Sequence, residues 1–229
     1  MYILYRISDG GNKKHKPSYI NNKNCLLNAV NTFRYHTFHI IADYVSDETF
    51  NMITEVVKDV RHEILRTHIG NGAGTFNISL DDALSLPDDD IVYFLEDDYL
   101  HKPFSYDIML EGLNLGANYL SLYDHPDKYV DGPNPYVVDG GEETKVFLTK
   151  SCHWKFTNST TMTFAGKVKD IRDDETILRK YTNKGTHPYD FDMWIELRKK
   201  GKSLITPIPG YSTHGEVQWL SPLTDWSKI

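Results

Sequence analysis

An α/β architecture built on a mainly parallel sheet is what this sequence predicts, and three observations carry the prediction. Apolar runs that read as strands, "YILYRIS", "FHIIADYV" and "DDDIVYFLEDD", alternate with segments of helical spacing. Each run ends in polar residues: Ser8, Asp43, and the triplet Glu96, Asp97 and Asp98. In an open sheet of this kind, ligands collect outside the carboxyl ends of the strands, so these three ends predict one site.

The elements follow in order. After the first strand comes a loop rich in Gly, Lys and Asn, "DGGNKKHKPS". "NKNCLLNAVNTFRYH" then carries Leu26, Leu27, Val30 and Phe33 at helical spacing. The second strand is followed by "SDETFNMITEVVKDV", where Ser46 has the chemistry of a helix N-cap. "NISLDDALSL" reads as a helix beginning near Asn77, just ahead of the third apolar run. From "GANYLSLYDHP" to "KVFLTKSCHWKFTNSTTMTFAG" the chain is rich in β-formers and aromatics, which predicts antiparallel or mixed sheet. "YDFDMWIELRKKG" is a further helix with Gly201 as its stop signal, and the tail is short strand and loop.

Composition sets the limits. A chain of 229 residues, 40% of them hydrophobic, buries a core as one unit, and residues 1–229 are expected to form one domain. The 25 basic and 32 acidic side chains give a net charge of −7, which offers no general attraction to nucleic acid or anionic lipid. Cys25 and Cys152 are far apart with no CxxC pair, so neither a disulfide framework nor a thiolate zinc site is expected, and a cytoplasmic setting fits. No apolar run approaches the roughly 18 residues that span a bilayer, which leaves peripheral membrane contact as the only membrane role expected.

Three adjacent carboxylates behind a buried strand repel one another, so they need a cation or buried donors, unless they form a solvated turn capping a helix. The ordered segments "HIIAD", "GNGAGTFNISLDDAL", "IVYFLEDD", "STTMTFAG" and "YDFDMWIELRKKG" resemble the glycosyltransferases of the GT-A fold, over most of residues 2–216. The resemblance implies a Rossmann-like, mainly parallel sheet flanked by helices, with a smaller antiparallel sheet on the acceptor side. It also implies a nucleotide-sugar-binding half at residues 1–100 and an acceptor-binding half at 101–229.

What the resemblance implies about function is specific. Glu96, Asp97 and Asp98 stand where the family has its DxD-type motif, with Glu in place of the first Asp. Asp98 and His214, the latter in "PGYSTHGE", are the implied ligands of Mn²⁺ or Mg²⁺, with Glu96 reaching the metal or the donor ribose. A lone His in a polar loop is equally a surface residue. Asp190 matches the family's general base, with Tyr189 where an acid is usual and Asp192 as the second candidate. Both acids also suit a helix N-terminus through its dipole, an effect of about 0.3 to 1 kcal/mol. Ser8, Asp43, Asn71, Gly74, Asn77, Glu96 and Asp97 are the implied donor contacts, although Asn71 and Asn77 have the chemistry of helix caps too. Thr160 and Thr161 are implied acceptor contacts; Trp219 has a ring that suits stacking on an acceptor sugar or packing in the core, and the basic run Lys13 to Lys16 closes over the diphosphate, meets an anionic acceptor or is solvated.

The function implied is metal-dependent transfer of a sugar from a nucleotide-sugar donor, a UDP-sugar, to a hydroxyl acceptor on a glycan or lipid-linked sugar, with inversion. A nucleic-acid acceptor is disfavoured by the charge balance. Two alternatives remain: a sugar-phosphate nucleotidyltransferase, which wants a Gly-rich loop with a basic residue after the first strand, and a noncatalytic nucleotide- or carbohydrate-binding module.

Overall fold

The computed structural model describes residues 1–10 and 14–229. Lys13, part of the basic run, lies outside the described residues. The amino half alternates as expected: β1 (Tyr2–Ser8), α1 (Asn22–Thr32), β2 (Thr37–Asp43), α2 (Asp47–Val57), β3 (His62–Thr67), α3 (Gly72–Leu84) and β4 (Ile91–Glu96). The remainder contains β5 (Tyr99–His101), α4 (Ser105–Leu113), β6 (Tyr119–Leu120), β7 (Val137–Val138), β8 (Gly141–Glu142), β9 (Val146–Leu148), β10 (His153–Phe156) and β11 (Phe164–Lys167). It ends with α5 (Val168–Thr182), α6 (Asp190–Lys199), β12 (Leu204–Ile208) and β13 (Ser212–His214).

Nine strands form one sheet in the order β3-β2-β1-β4-β11-β6-β12-β10-β9. The first four run parallel; β11 is antiparallel to β4, and β10 is antiparallel to both β12 and β9. The β-rich later half therefore extends the main sheet. Separate antiparallel pairs, β5 with β13 and β7 with β8, stand off it.

The helices cover both faces. On one side Leu26, Ala29 and Val30 of α1 pack with Ile53 and Val57 of α2 against Ile3, Tyr5 and Ile40. On the other, Phe76 and Leu80 of α3, Ile171 and Leu178 of α5, and Trp194 of α6 cover Leu4, Phe94 and Phe164. Trp194 stands edge-on to Phe164 at 4.9 Å, so α6 is seated by an aromatic contact that fixes where its first turn ends up.

Local chemistry explains the element starts. Ser46 caps α2 as expected, its hydroxyl accepting from Thr49 N–H at 3.2 Å. α3 begins at Gly72 rather than near Asn77, because Asn71 Oδ1 accepts from Gly74 N–H at 2.7 Å and starts the helix earlier. β3, α4 and α5 are additions to the sequence reading. β3 is an edge strand with an alternating half-exposed pattern and no apolar run to announce it. α5 is heavily charged, yet it buries Val168, Ile171, Leu178 and Tyr181 along one face. Among the described residues, no helix is long and apolar enough to cross a membrane.

Candidate active site

The carboxyl ends of β1, β2 and β4 open into a cleft of ≈ 920 Å³, lined by all three acids of the triplet together with Ser8, Asp43 and His214. The three acids turn in three directions. Glu96 Oε1 lies 3.3 Å from a guanidinium nitrogen of Arg6, and Glu96 Oε2 accepts from the Thr163 hydroxyl at 3.3 Å. Asp97 Oδ2 accepts from the Ser8 N–H at 2.8 Å. Asp98 Oδ2 meets Lys16 Nζ at 2.9 Å and His214 Nε2 at 3.2 Å. The repulsion inherent in the triplet is thus relieved by donors from four separate segments.

His214 arrives by strand pairing. β13 runs antiparallel to β5 with His214 opposite Tyr99, one residue beyond Asp98. Gly215 lets this pairing come close: a Cβ there would sit 2.9 Å from the Asp98 carbonyl oxygen and 2.6 Å from Ile20 Cγ2. Burial alone would raise the Asp98 carboxyl, but His214 and Lys16 outweigh it and hold the group well below the usual carboxylate range. Asp97 moves the other way, pushed up by burial and by the Asp98 charge. His214 is raised, its own burial being outweighed by Asp98.

At the far end of the cleft Asp43 is 3% exposed, and its carboxylate is occupied by the chain. Oδ1 accepts from Ile69 N–H at 2.6 Å and Oδ2 from Gly70 N–H at 2.8 Å, which fixes the loop between β3 and α3. Gly70 has φ +76°, a conformation few other residues adopt, and its Cα side rests against the Tyr44 ring. Tyr44 itself is at φ +48° and 55% exposed, so this loop presents an aromatic ring at the cleft wall.

Beside the start of α3 the cleft is lined by the turn Thr186, His187 and Pro188, which leads into α6; Ala73 N–H donates to the Thr186 carbonyl at 3.3 Å. Asp190, the first residue of α6, is half-buried, and one of its oxygens accepts from Phe191 N–H at 2.8 Å. Burial pushes its carboxyl up to about 6, and the charge of Glu96 adds to the shift. A carboxyl so tuned changes protonation near neutral pH, as a general base requires. Asp192 is exposed, because two positions along a helix turn it through about 200° to the opposite side.

With this geometry in view, comparison with solved structures is informative. A nucleoside-diphosphate-sugar pyrophosphorylase from Vibrio cholerae RC9 superimposes over 95% of this chain and 96% of its own, with a TM-score of 0.55 and 12% identity. The chain has a GT-A-like, Rossmann-type mixed α/β fold. The glycosyltransferase GlyE of Streptococcus pneumoniae TIGR4 matches 90% of this chain and 44% of its own, at a TM-score of 0.46 and 11% identity. S. aureus TarS 1-349 matches 76% of this chain at a TM-score of 0.47 and 12% identity, and the match spans about half, 48%, of the TarS chain. No protein-family model matches, and no curated protein does.

On this fold the sequence-expected residues separate into groups. Ser8, Asp43, Asn71, Glu96, Asp97, Asp98 and His214 converge on the cleft, and Asp190 stands two residues beyond its wall at Pro188. Asn71 is also the cap of α3. Gly74 is required by its neighbours, since a Cβ there would lie 2.3 Å from Ile69 Cγ2. Asn77 is a correction: its amide donates to Asn183 at 2.9 Å and accepts from the Thr182 hydroxyl at 2.7 Å, tying α3 to the end of α5. Thr160 is another, being buried with its hydroxyl on Ser121 at 3.0 Å. Thr161 is half-buried, bonded to the Tyr99 hydroxyl at 2.6 Å. Trp219 is half-buried and packs 5.3 Å from His125, extending an aromatic row that runs through Tyr123 to His214.

Both oxygens of Glu96 have partners in Arg6 and Thr163, and its side chain, 32% exposed, lines the cleft beside Asp98. Asp98 and His214 remain a donor pair that suits Mn²⁺ or Mg²⁺ once diphosphate oxygens and water complete the shell. Among the described residues, no three or more His, Cys, Asp or Glu side chains form such a site unaided. Arg6 is the residue that sequence reasoning missed. It is 5% exposed, donates to the Gly72 and Met162 carbonyls at 3.2 Å each, and lies over the Phe76 ring at 5.3 Å. Its signal was present: a charge inside an apolar strand, two residues before Ser8 and on the same face.

Proposed function

We propose that this protein is a glycosyltransferase that moves a sugar from a UDP-sugar to a hydroxyl acceptor with inversion at the anomeric carbon. The observation that carries the reading is the pairing of Asp98 with His214 at the carboxyl edge of the sheet, at 3.2 Å, in a cleft whose Glu96 charge acts on the raised carboxyl of Asp190, two residues past Pro188. In this reading Asp98 and His214 hold Mn²⁺ or Mg²⁺, which when bound offsets the charge of the departing diphosphate. Asp190 accepts the proton of the acceptor hydroxyl on the face opposite the leaving group. Arg6 holds Glu96 and directs it away from Asp98, and Asp43 fixes the loop that meets the nucleotide. Trp219 and the aromatic row beside it form the acceptor side.

A second reading, a sugar-phosphate nucleotidyltransferase, draws support from the end-to-end fold likeness to the Vibrio pyrophosphorylase. One assay separates them. UDP release from a panel of UDP-sugars, dependent on Mn²⁺ and on Asp190, supports the transferase. Pyrophosphate release from UTP and a sugar 1-phosphate, with no UDP release from any UDP-sugar, supports the nucleotidyltransferase and removes the first reading. A protein that binds UDP yet releases neither product is a binding module.

A further inference from the structure

Residues 14–20 form a strap that brings Lys16 into the lining of the cleft. Lys14 Nζ pairs with Glu216 Oε2 at 2.6 Å, and Val217 N–H donates to the His15 carbonyl at 3.0 Å, so the strap is fastened to the chain just after β13. Ile20 N–H donates to the Pro17 carbonyl at 3.0 Å and closes its other end as a turn. Between these anchors Lys16 reaches inward to Asp98 Oδ2, the oxygen that His214 also meets. Lys16 lines the main cleft and also a smaller hollow of ≈ 440 Å³ beside α1 and α2, and its side chain is 24% exposed.

A divalent ion bound to Asp98 and His214 would share that oxygen with the ammonium. Two cations within a few ångströms repel strongly in a partly buried site, so both do not hold the oxygen at once. The lysine has a flexible four-carbon stem on an anchored backbone, which lets Nζ move while the strap stays. Of the nearby acids, Glu96 is held by Arg6 and Asp97 by Ser8 N–H, while Glu48 stands exposed in the smaller hollow's lining. A nucleotide diphosphate in the cleft offers the ammonium phosphate oxygens.

We propose that Lys16 is a built-in cation that occupies Asp98 until a nucleotide diphosphate draws it away, so that this side chain adds to the coupling that shared diphosphate oxygens already give divalent-ion and nucleotide binding. The inference rests on the donor reading above. Removing the ammonium unmasks Asp98, and supplying a diphosphate does the same by giving the ammonium another partner. The coupling is reciprocal, as any linkage between two sites must be.

The test uses the full chain as wild type, Lys16→Met and Lys16→Arg. Each is titrated with Mn²⁺, the free ion being counted by its electron paramagnetic resonance signal, without nucleotide and with saturating UDP. UDP binding is measured separately by calorimetry. Without UDP, Lys16→Met binds Mn²⁺ about tenfold more tightly than wild type, within the range usual for coupled sites. UDP tightens Mn²⁺ binding in all three proteins, through the shared diphosphate oxygens, and by about tenfold less in Lys16→Met than in wild type and Lys16→Arg. Equal Mn²⁺ affinity in wild type and Lys16→Met without UDP overturns the proposal, as does an equal UDP effect in both, or Lys16→Arg behaving like Lys16→Met. If UDP binds none of the three proteins, the donor reading fails along with it; if UDP binds and the Mn²⁺ results go against Lys16, only the coupling fails.

Discussion

Arg6, from the first strand, and Glu96, the last residue of the fourth, meet at 3.3 Å in the lining of the cleft. The pair lies between parallel neighbours, with Arg6 directly opposite Glu96 in the register. Arg6 is 5% exposed and its partner's side chain 32%, so the charges are screened only in part.

Replacing Arg6 with Met leaves Glu96 without its cation and the Gly72 and Met162 carbonyls without their donor. The expected loss is about 2 to 3 kcal/mol, below the full cost of breaking a buried pair because Glu96 keeps some water. Urea denaturation of Arg6→Met and of the double variant Arg6→Met/Glu96→Gln checks this. The double variant is expected to recover part of the loss.

Asp190 gives two pH signatures. As the proposed base it must be ionised, so transfer is expected to fall as pH drops through about 6, and Asp190→Asn is expected to lose about a hundredfold or more in turnover while retaining UDP binding. The stability sign runs the other way. A carboxyl raised from 3.8 to about 6 in the fold contributes most below pH 3.8, and its contribution falls as pH rises through about 6. Asp190→Asn should therefore melt higher than wild type above neutrality, with the gap narrowing toward about pH 4. A gap that widens with acidification would contradict the assignment.

Gly215→Ala places a methyl against the Asp98 carbonyl and Ile20. Either β13 or the turn after β4 must yield, which separates His214 from Asp98. A loss of about 1 to 3 kcal/mol is expected, the usual cost of overpacking. Mn²⁺ affinity in the presence of UDP should fall with it, whereas Gly116→Ala, with no atom within 4 Å of the added methyl, should leave that affinity unchanged.

Asp43→Asn tests whether this acid acts through the loop it holds. The substituted amide keeps an oxygen for one main-chain N–H and turns an NH₂ group toward the other, so Ile69 or Gly70 is left without an acceptor. About 1 to 3 kcal/mol of stability is expected to go, and UDP should bind more weakly. Asn77→Ala is the contrast. It loosens α3 from α5 by about 1 kcal/mol, and UDP calorimetry is expected to show no change.

The sequence by itself determined the alternating α/β order of the amino half, the Ser46 cap, and the strand ends at which Ser8, Asp43 and Asp98 would gather, because apolar periodicity and local hydrogen-bonding chemistry are written over short stretches. It also marked Asp190 as the acid that opens a helix. Only the tertiary structure decided that Glu96 meets Arg6, that Asn77 ties α3 to the end of α5 while Thr160 is buried on Ser121, and that Lys16 and His214 share one oxygen of Asp98. Those pairings join residues tens to more than a hundred positions apart, and the direction in which a side chain points there is set by sheet register and by which partner satisfies its charge. No local pattern carries that information.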